Sequence, residues 1–160
     1  MILDATAGNR MMWPNKYPPN TIFLDKQIKL VRPPDIFASN EYCPFRDDIF
    51  DCVIYDPPHV AKVSPAKTGK FRNPEHPSYY GWDISKKDLL INLHKAQKEF
   101  QRLTKRLCFK WSYNPTMGGG KNHLWKVLPF FLHDWKIINK WEKKKRNTTT
   151  WWITFVRSID

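Results

Sequence analysis

Three acidic residues stand directly after short apolar runs, at Asp4, Asp25 and Asp56. Each run is rich in β-forming residues, and the residues after each acid favour a turn of the backbone. The carboxyl ends of neighbouring strands in an open α/β sheet are where such sheets bind ligands. The spacing therefore predicts a site at which these three carboxylates converge.

The first two acids suit a nucleoside-bearing ligand. Asp4 begins a turn that ends at Gly8, where a glycine lets the backbone approach a ligand closely. The turn lacks the Gly-x-Gly-x-x-Gly pattern of a dinucleotide site, so a pyrophosphate cradle is not indicated. Asp25 lies about 20 residues further on, where an acid accepts hydrogen bonds from ribose. A ribose acceptor without a phosphate cradle points to S-adenosylmethionine.

The segment Asp56-Pro57-Pro58-His59 is more specific. Its prolines fix the Asp56 carboxylate and the Pro57 carbonyl at a defined separation. Two such acceptors can hold both N–H groups of a nucleobase amine and direct its lone pair at a methyl donor. His59 would stack on the base or relay a proton. The alternative is a turn that ends a strand and leaves His59 on the surface; the two preceding strand–acid pairs favour the catalytic interpretation.

These motifs, in this order, resemble the class I S-adenosylmethionine-dependent methyltransferases. Within that family they resemble the amino-methyltransferases with an (Asp/Asn/Ser)-Pro-Pro-(Tyr/Phe/Trp) signature, specifically small phage-type members with Asp-Pro-Pro-His. Cys43-Pro44-Phe45, followed by Phe50-Asp51, resembles the stretch that precedes the fourth strand in many members. The resemblance spans most of the chain and implies a Rossmann-like sheet with S-adenosylmethionine as the cofactor.

The resemblance also implies roles for individual residues. The catalytic set would be Asp56, Pro57, Pro58 and His59. Asp25 and its neighbour Lys26 would hold the ribose, and Asn40 or Ser39 would lie near the adenine. The methionine end of the cofactor would contact the loop formed by Asp4, Ala5, Thr6, Ala7 and Gly8, with Asp56 beside it. The sequence departs from the family at His59, which replaces an aromatic residue, and at Ser39-Asn40, where an acid is common.

The elements that must position these residues follow from hydrophobic periodicity. Strands are predicted over 1–3, Thr21–Asp25, 35–39, 50–55, 106–111, 135–141 and 149–156. A capping box at Ser85 predicts a helix with an apolar stripe, formed by Leu89, Leu93, Ala96, Phe100 and Leu103. A second helix is predicted over 122–133. Alternating units followed by a hairpin predict an α/β sheet, mostly parallel with an antiparallel C-terminal hairpin.

The chain of 160 residues has the length of one domain. We therefore predict a single catalytic domain over 1–160, without a separate target-recognition domain. Residues 60–82 would form a basic and aromatic loop over the active site, and the alternative is an ordinary solvated loop. The candidate substrate contacts are Lys70, Arg72, Tyr79 and Tyr80 in this loop, and Lys143, Lys144 and Arg146 in the C-terminal hairpin.

Charge indicates the class of partner. Lys and Arg total 27 against 15 acids, a formal net charge of +12, which favours nucleic acid first and an anionic membrane surface second. The three cysteines are spaced as free thiols rather than as a zinc site, and no metal is expected. No apolar run reaches the ~20 residues of a membrane span, so the sequence predicts a soluble, cytoplasmic protein.

The leading hypothesis is methylation of an exocyclic amine in nucleic acid. Adenine N6 in DNA is favoured, because an Asp before the prolines is commonest among the adenine enzymes of the resembled family. Adenine N6 or guanine N2 in RNA is the nearest alternative, and glutamine N5 in protein is a third. From a different class, the chain would be a nucleic-acid-binding module on a degenerate methyltransferase fold. A protein partner or a second copy would then supply targeting.

Overall fold

The computed structural model describes residues 1–28, 30–57, 86–115 and 124–158, apart from the side chains of residues 86 and 87. Several predictions from the sequence therefore lie outside the described residues. They are the roles of Pro58, His59, Lys70, Arg72, Tyr79 and Tyr80, the loop 60–82, and the helix cap at Ser85.

The described residues form one sheet of seven strands and one α-helix, α1 (Lys86–Leu103). The strands are β1 (Ile2–Asp4), β2 (Thr21–Asp25), β3 (Ile36–Phe37), β4 (Cys52–Tyr55), β5 (Arg106–Tyr113), β6 (Trp135–Lys145) and β7 (Thr148–Arg157). Their order across the sheet is β3-β2-β1-β4-β5-β7-β6. β1 to β5 pair in parallel, and β7 pairs antiparallel with both β5 and β6. The prediction of a mostly parallel sheet with an antiparallel C-terminal hairpin is confirmed.

α1 covers one face of the sheet with the apolar stripe expected from its sequence. Each residue of the stripe is at most 1% exposed, and the set is Leu89, Leu93, Ala96, Phe100 and Leu103. The Phe100 ring meets the Tyr55 ring of β4 edge to face, with centroids 5.0 Å apart. Because α1 joins β4 to the parallel neighbour β5, this packing fixes the carboxyl end of β4 relative to the rest of the core.

The helix predicted over 122–133 is wrong for its described part. Two short 3₁₀ helices, Leu124–Lys126 and Leu128–Phe130, lie there instead. Pro129 stands in the first turn of the second one and lacks the N–H that an α-helix would use, so a shorter 3₁₀ turn replaces it. The fully buried carboxamide of Gln97 holds this segment on α1, accepting from Leu132 N (2.7 Å) and donating to the Phe130 carbonyl (2.6 Å).

The C-terminal hairpin is longer than predicted. The sequence predicts strands over 135–141 and 149–156, yet β6 runs to Lys145 and β7 begins at Thr148. A two-residue turn remains, in which Arg146 takes a left-handed φ of 52°. Among the described residues, no helix is long and apolar enough to cross a membrane.

Candidate active site at the carboxyl ends of β1, β2 and β4

The strand order reverses between β1 and β4. β1 is followed in the chain by β2 on one side, and β4 is followed by β5 on the other. The carboxyl ends of two such strands flank the crevice in which doubly wound sheets bind their ligands. Asp4 ends β1 and pairs in register with Ile54 of β4, two residues before Asp56. The two carboxylates therefore lie on opposite sides of the reversal point, and the predicted convergence of Asp4 and Asp56 is observed.

Asp4 is buried and fully engaged. Its residue is 1% exposed, and its carboxylate accepts hydrogen bonds from Thr6 N (3.1 Å) and from the Trp13 indole Nε1 (2.7 Å). Burial raises the pKa of Asp4 to about 7, against the stabilising effect of these two donors. The nearby charges of Asp56 and Asp25 raise this pKa further. Asp4 therefore changes charge near neutral pH, and its oxygens face the protein rather than open space.

One hydroxyl joins the loops that follow β1 and β4. Thr6 Oγ1 accepts a hydrogen bond of 2.7 Å from Asp56 N. The same loop is also tied to the sheet through its backbone, since Ala5 N donates to the Ile54 carbonyl (2.9 Å) and Ala7 N to the Leu24 carbonyl (3.1 Å). Thr6 therefore sets the position of the Asp56 backbone relative to β1.

Replacing Thr6 by Val keeps its shape and removes the acceptor. We expect Thr6→Val to lower the free energy of unfolding by about 1–2 kcal/mol, because the partly buried Asp56 N–H is left without a partner. Urea denaturation measures the change. Thr6→Ser keeps the hydroxyl and is the matched control; equal losses in both variants would contradict this role for the hydroxyl.

Asp56 presents one paired and one unpaired oxygen. Its Oδ2 forms an ion pair with the Lys110 ammonium of β5, and the two side chains are only 20% and 18% exposed. Its Oδ1 is buried and has no hydrogen-bond partner among the described residues. Since the ammonium fixes the orientation of the carboxylate, Oδ1 is a preoriented acceptor that lacks a donor. The neighbouring Pro57 is also buried.

Asp25 organises the loop after β1 from the end of β2. Its two oxygens accept hydrogen bonds from Gly8 N and Gln27 N, each at 2.8 Å. Gly8 adopts a left-handed φ of 48°, and a Cβ added there would meet nothing within 4 Å. The glycine therefore satisfies a backbone requirement and borders open space. Asp25 is half-buried and Lys26 is exposed, so both are accessible beside this space.

Asn40 lies in a polar network on the α1 side of the sheet. Its Oδ1 accepts from Asn92 Nδ2 at 3.0 Å, and Asn92 Nδ2 also donates to Glu41 Oε1 at 2.7 Å. The Tyr55 hydroxyl completes the network by donating to Asn92 Oδ1 at 2.9 Å. Burial raises the pKa of Tyr55, so this phenol stays a donor. In this structure the Asn40 carboxamide joins the segment after β3 to α1.

Arg10 is a buried cation that holds the long connection between β1 and β2. It is 4% exposed, and its guanidinium lies over the Phe23 ring at 4.0 Å from the centroid. It also donates to the carbonyls of Lys16 (2.9 Å) and Pro33 (3.0 Å). These contacts shape the loop that carries Trp13 over Asp4.

The three candidate substrate contacts of the hairpin do not share one face. Lys143 is opposite Thr150 and Lys144 is opposite Thr149, so successive lysines point to opposite faces of the sheet. Arg146 occupies the turn itself. All three side chains are exposed. A polyanion lying on one face would therefore contact Lys143 or Lys144, but not both.

Sequence reasoning missed Lys110, Trp13 and Arg10. Lys110 is 54 residues from Asp56, and a lysine within the strand pattern of β5 gives no signal of its partner. Trp13 could have been suspected, because an indole close to a strand-end acid has both the reach and a donor.

No protein-family model and no curated protein matches the sequence.

Proposed function

We propose that the protein is an S-adenosylmethionine-dependent methyltransferase that acts on an exocyclic amine of a nucleobase, with adenine N6 in DNA as the favoured target. Asp56 Oδ1 carries the proposal: a buried carboxylate oxygen, held by Lys110 and without a donor among the described residues. An unpaired buried acceptor of this kind costs about 1–3 kcal/mol, which an incoming N–H group relieves. The primary amine of adenine supplies such a group.

The strand order supports a Rossmann-like methyltransferase sheet. The run β3-β2-β1-β4-β5 is the order of a doubly wound fold, and Asp56 stands at its reversal point. Around this point the residues fit the ribose part of the cofactor. Asp25 is accessible and anchored, and Gly8 borders open space. Lys26 stands beside them.

Asp4 fits a positioning role better than direct contact with the cofactor. The residue is 1% exposed, whereas Asp25 is half-buried, so a ligand cannot reach the Asp4 oxygens, which accept from Thr6 N and the Trp13 indole. It shapes the loop whose Thr6 hydroxyl holds the Asp56 backbone. The backbone of residues 5–8 would then face the methionine end.

The proposed chemistry is a direct displacement. Asp25 and the loop that ends at Gly8 would hold S-adenosylmethionine. The bound cofactor would supply an electrophilic methyl group to the amine nitrogen, and its sulfur would keep the electron pair of the broken carbon–sulfur bond. Asp56 Oδ1 accepts one N–H of the amine, and this hydrogen bond orients the nitrogen lone pair. The Pro57 carbonyl is the second acceptor in this scheme. The proton that the nitrogen loses passes to the Asp56 carboxylate or to water.

The charge of +12 supports a nucleic acid as the carrier of the base. RNA, with adenine N6 or guanine N2 as the target, remains the nearest alternative substrate. The free thiols of Cys43, Cys52 and Cys108 suit a reducing compartment, so a cytoplasmic location belongs to the proposal. A protein partner or a second copy would supply target choice.

The test is transfer of a labelled methyl group to DNA and RNA pools, followed by mass spectrometry of the nucleosides. We expect N6-methyladenine from DNA. Label in RNA alone would assign the alternative substrate. A second measurement, calorimetry with S-adenosylmethionine, addresses the reading as a binding module. The observation that favours the binding module is the Trp13 indole, which donates a hydrogen bond to Asp4 and so covers a carboxylate at the proposed cofactor site. If the protein binds nucleic acid but not S-adenosylmethionine, the enzyme proposal is overturned.

A further inference from the structure

A row of cross-strand neighbours crosses the C-terminal half of the sheet and ends at Asp56. Lys110 forms an ion pair with Asp56, and Trp152 of β7 stands directly opposite Lys110. Trp141 of β6 is in turn opposite Trp152. Directly opposed residues of antiparallel strands point to the same face. We call Asp56, Lys110, Trp152 and Trp141 the tryptophan row.

The outer end of the tryptophan row is an accessible aromatic surface. The Trp141 and Trp152 rings contact each other with centroids 4.5 Å apart and planes inclined by 46°. Trp141 is 54% exposed although it is a large apolar side chain. The inclined rings leave indole surface free, and a flat heteroaromatic ring stacks on such a surface.

Basic and polar side chains flank the row on the same face. Two further rows lie nearer to the hairpin turn, and each ends in an exposed lysine of β6. Their members are Ser112, Thr150 and Lys143 in one row, and Asn114, Thr148 and Lys145 in the other. The Ser112 and Thr150 hydroxyls are 2.9 Å apart. The face therefore combines stacking groups with cations placed beside them.

We propose that this face binds single-stranded nucleic acid, with bases on the tryptophan row and phosphates on Lys143 and Lys145. Aromatic platforms beside cations are how proteins hold unpaired strands, whereas bases inside a duplex are not free to stack on protein. Three strand spacings of about 4.8 Å separate Asp56 from Trp141, roughly 14 Å, or about four bases at 3.4 Å each. The inference rests on the proposed function, because the row leads a base to Asp56.

The test is fluorescence anisotropy with short fluorescein-labelled oligonucleotides, as single-stranded DNA, single-stranded RNA and a duplex of the same sequence. We expect Trp141→Ala to weaken binding of the single strands about tenfold, as expected for loss of one stacking platform. Trp141→Phe should retain most of the affinity. Trp125→Ala is the matched control, because Trp125 is a 61% exposed tryptophan on a 3₁₀ helix outside the row. Comparison of the affinities for single-stranded DNA and single-stranded RNA shows which nucleic acid this face prefers.

Equal affinity of the wild type for duplex and single strand would overturn the inference, as would equal effects of Trp141→Ala and Trp125→Ala. Self-association through β6 without nucleic-acid binding would overturn it too. The measurement needs no methyl donor, so its result is separable from the enzyme proposal. Single-strand binding without methyl transfer would refute the proposed methyltransferase activity alone. Methyl transfer that is the same in Trp141→Ala and in the wild type would refute the binding role of the tryptophan row alone.

Discussion

An Asp56→Asn variant should lose methyl transfer by at least about a hundredfold, the effect of removing one preoriented electrostatic partner from an active site. The direction follows from Lys110, whose ammonium is a donor only. The amide oxygen of the new side chain turns toward Lys110, and the NH₂ group then occupies the position of Oδ1. A donor replaces the acceptor that should face the substrate amine. The measurement is the rate of labelled-methyl transfer at saturating S-adenosylmethionine.

Stability must be separated from chemistry in this variant. Asp56→Asn leaves the 18% exposed Lys110 ammonium without its counter-ion, which we expect to lower the free energy of unfolding by about 1–2 kcal/mol. Asp56→Asn combined with Lys110→Met removes the uncompensated charge. The double variant should regain stability but not activity. Asp47→Asn is the control, because Asp47 also forms an ion pair, with Arg102 at 2.7 Å, but is 73% exposed. Activity of Asp56→Asn within tenfold of the wild type would exclude Asp56 from the mechanism.

As the pH rises from 4 to 7, the free energy of unfolding of the wild-type protein should fall relative to that of an Asp4→Asn variant. An unfolded Asp releases its proton near its usual pKa of 3.8, whereas burial raises the pKa of Asp4 in the folded protein to about 7. In this window the folded state binds more protons, so raising the pH favours unfolding. At about 1.4 kcal/mol for each pH unit, the relative loss is at most about 4 kcal/mol.

Urea denaturation of both proteins at several pH values measures this slope. The amide of Asp4→Asn can accept only one of the two hydrogen bonds from Thr6 N and Trp13 Nε1, which adds an offset that does not depend on pH. Trp13→Phe tests the assignment from the other direction. It removes a donor that favours the carboxylate, so the pKa of Asp4 should rise further. The pH range over which stability falls should then extend to higher pH. Parallel stability curves for the wild type and Asp4→Asn would refute the assignment.

Local patterns predicted the elements with strong periodicity. β2 occupies Thr21–Asp25 as predicted, and the apolar stripe of α1 is buried as predicted. Two regions differ from the prediction, and the physical cause of each difference cannot be read from hydrophobic periodicity. Pro129 converts a helical pattern into 3₁₀ turns. The Lys-rich end of β6 resembles a turn in sequence, but an edge strand exposed on both faces accepts charged residues.

The candidate site shows the same division. The acids at Asp4, Asp25 and Asp56 were visible because each follows an apolar run. The environments of these acids could not be predicted from the sequence, because the burial of Asp4 and the pairing of Asp56 with Lys110 depend on strand order and register. Asn40 illustrates the limit: its position after β3 was predicted, and its hydrogen bond to Asn92 of α1 depends on tertiary packing.

The lysines of β6 also govern how the molecule meets its own copies. β6 is the outermost strand of the sheet formed by the described residues, and it is eleven residues long. A bare edge of that length is a template on which another chain can extend the sheet. Closely spaced positive side chains make such an approach repulsive at low ionic strength, and added salt screens that repulsion. The charge on this strand is therefore also a safeguard against aggregation.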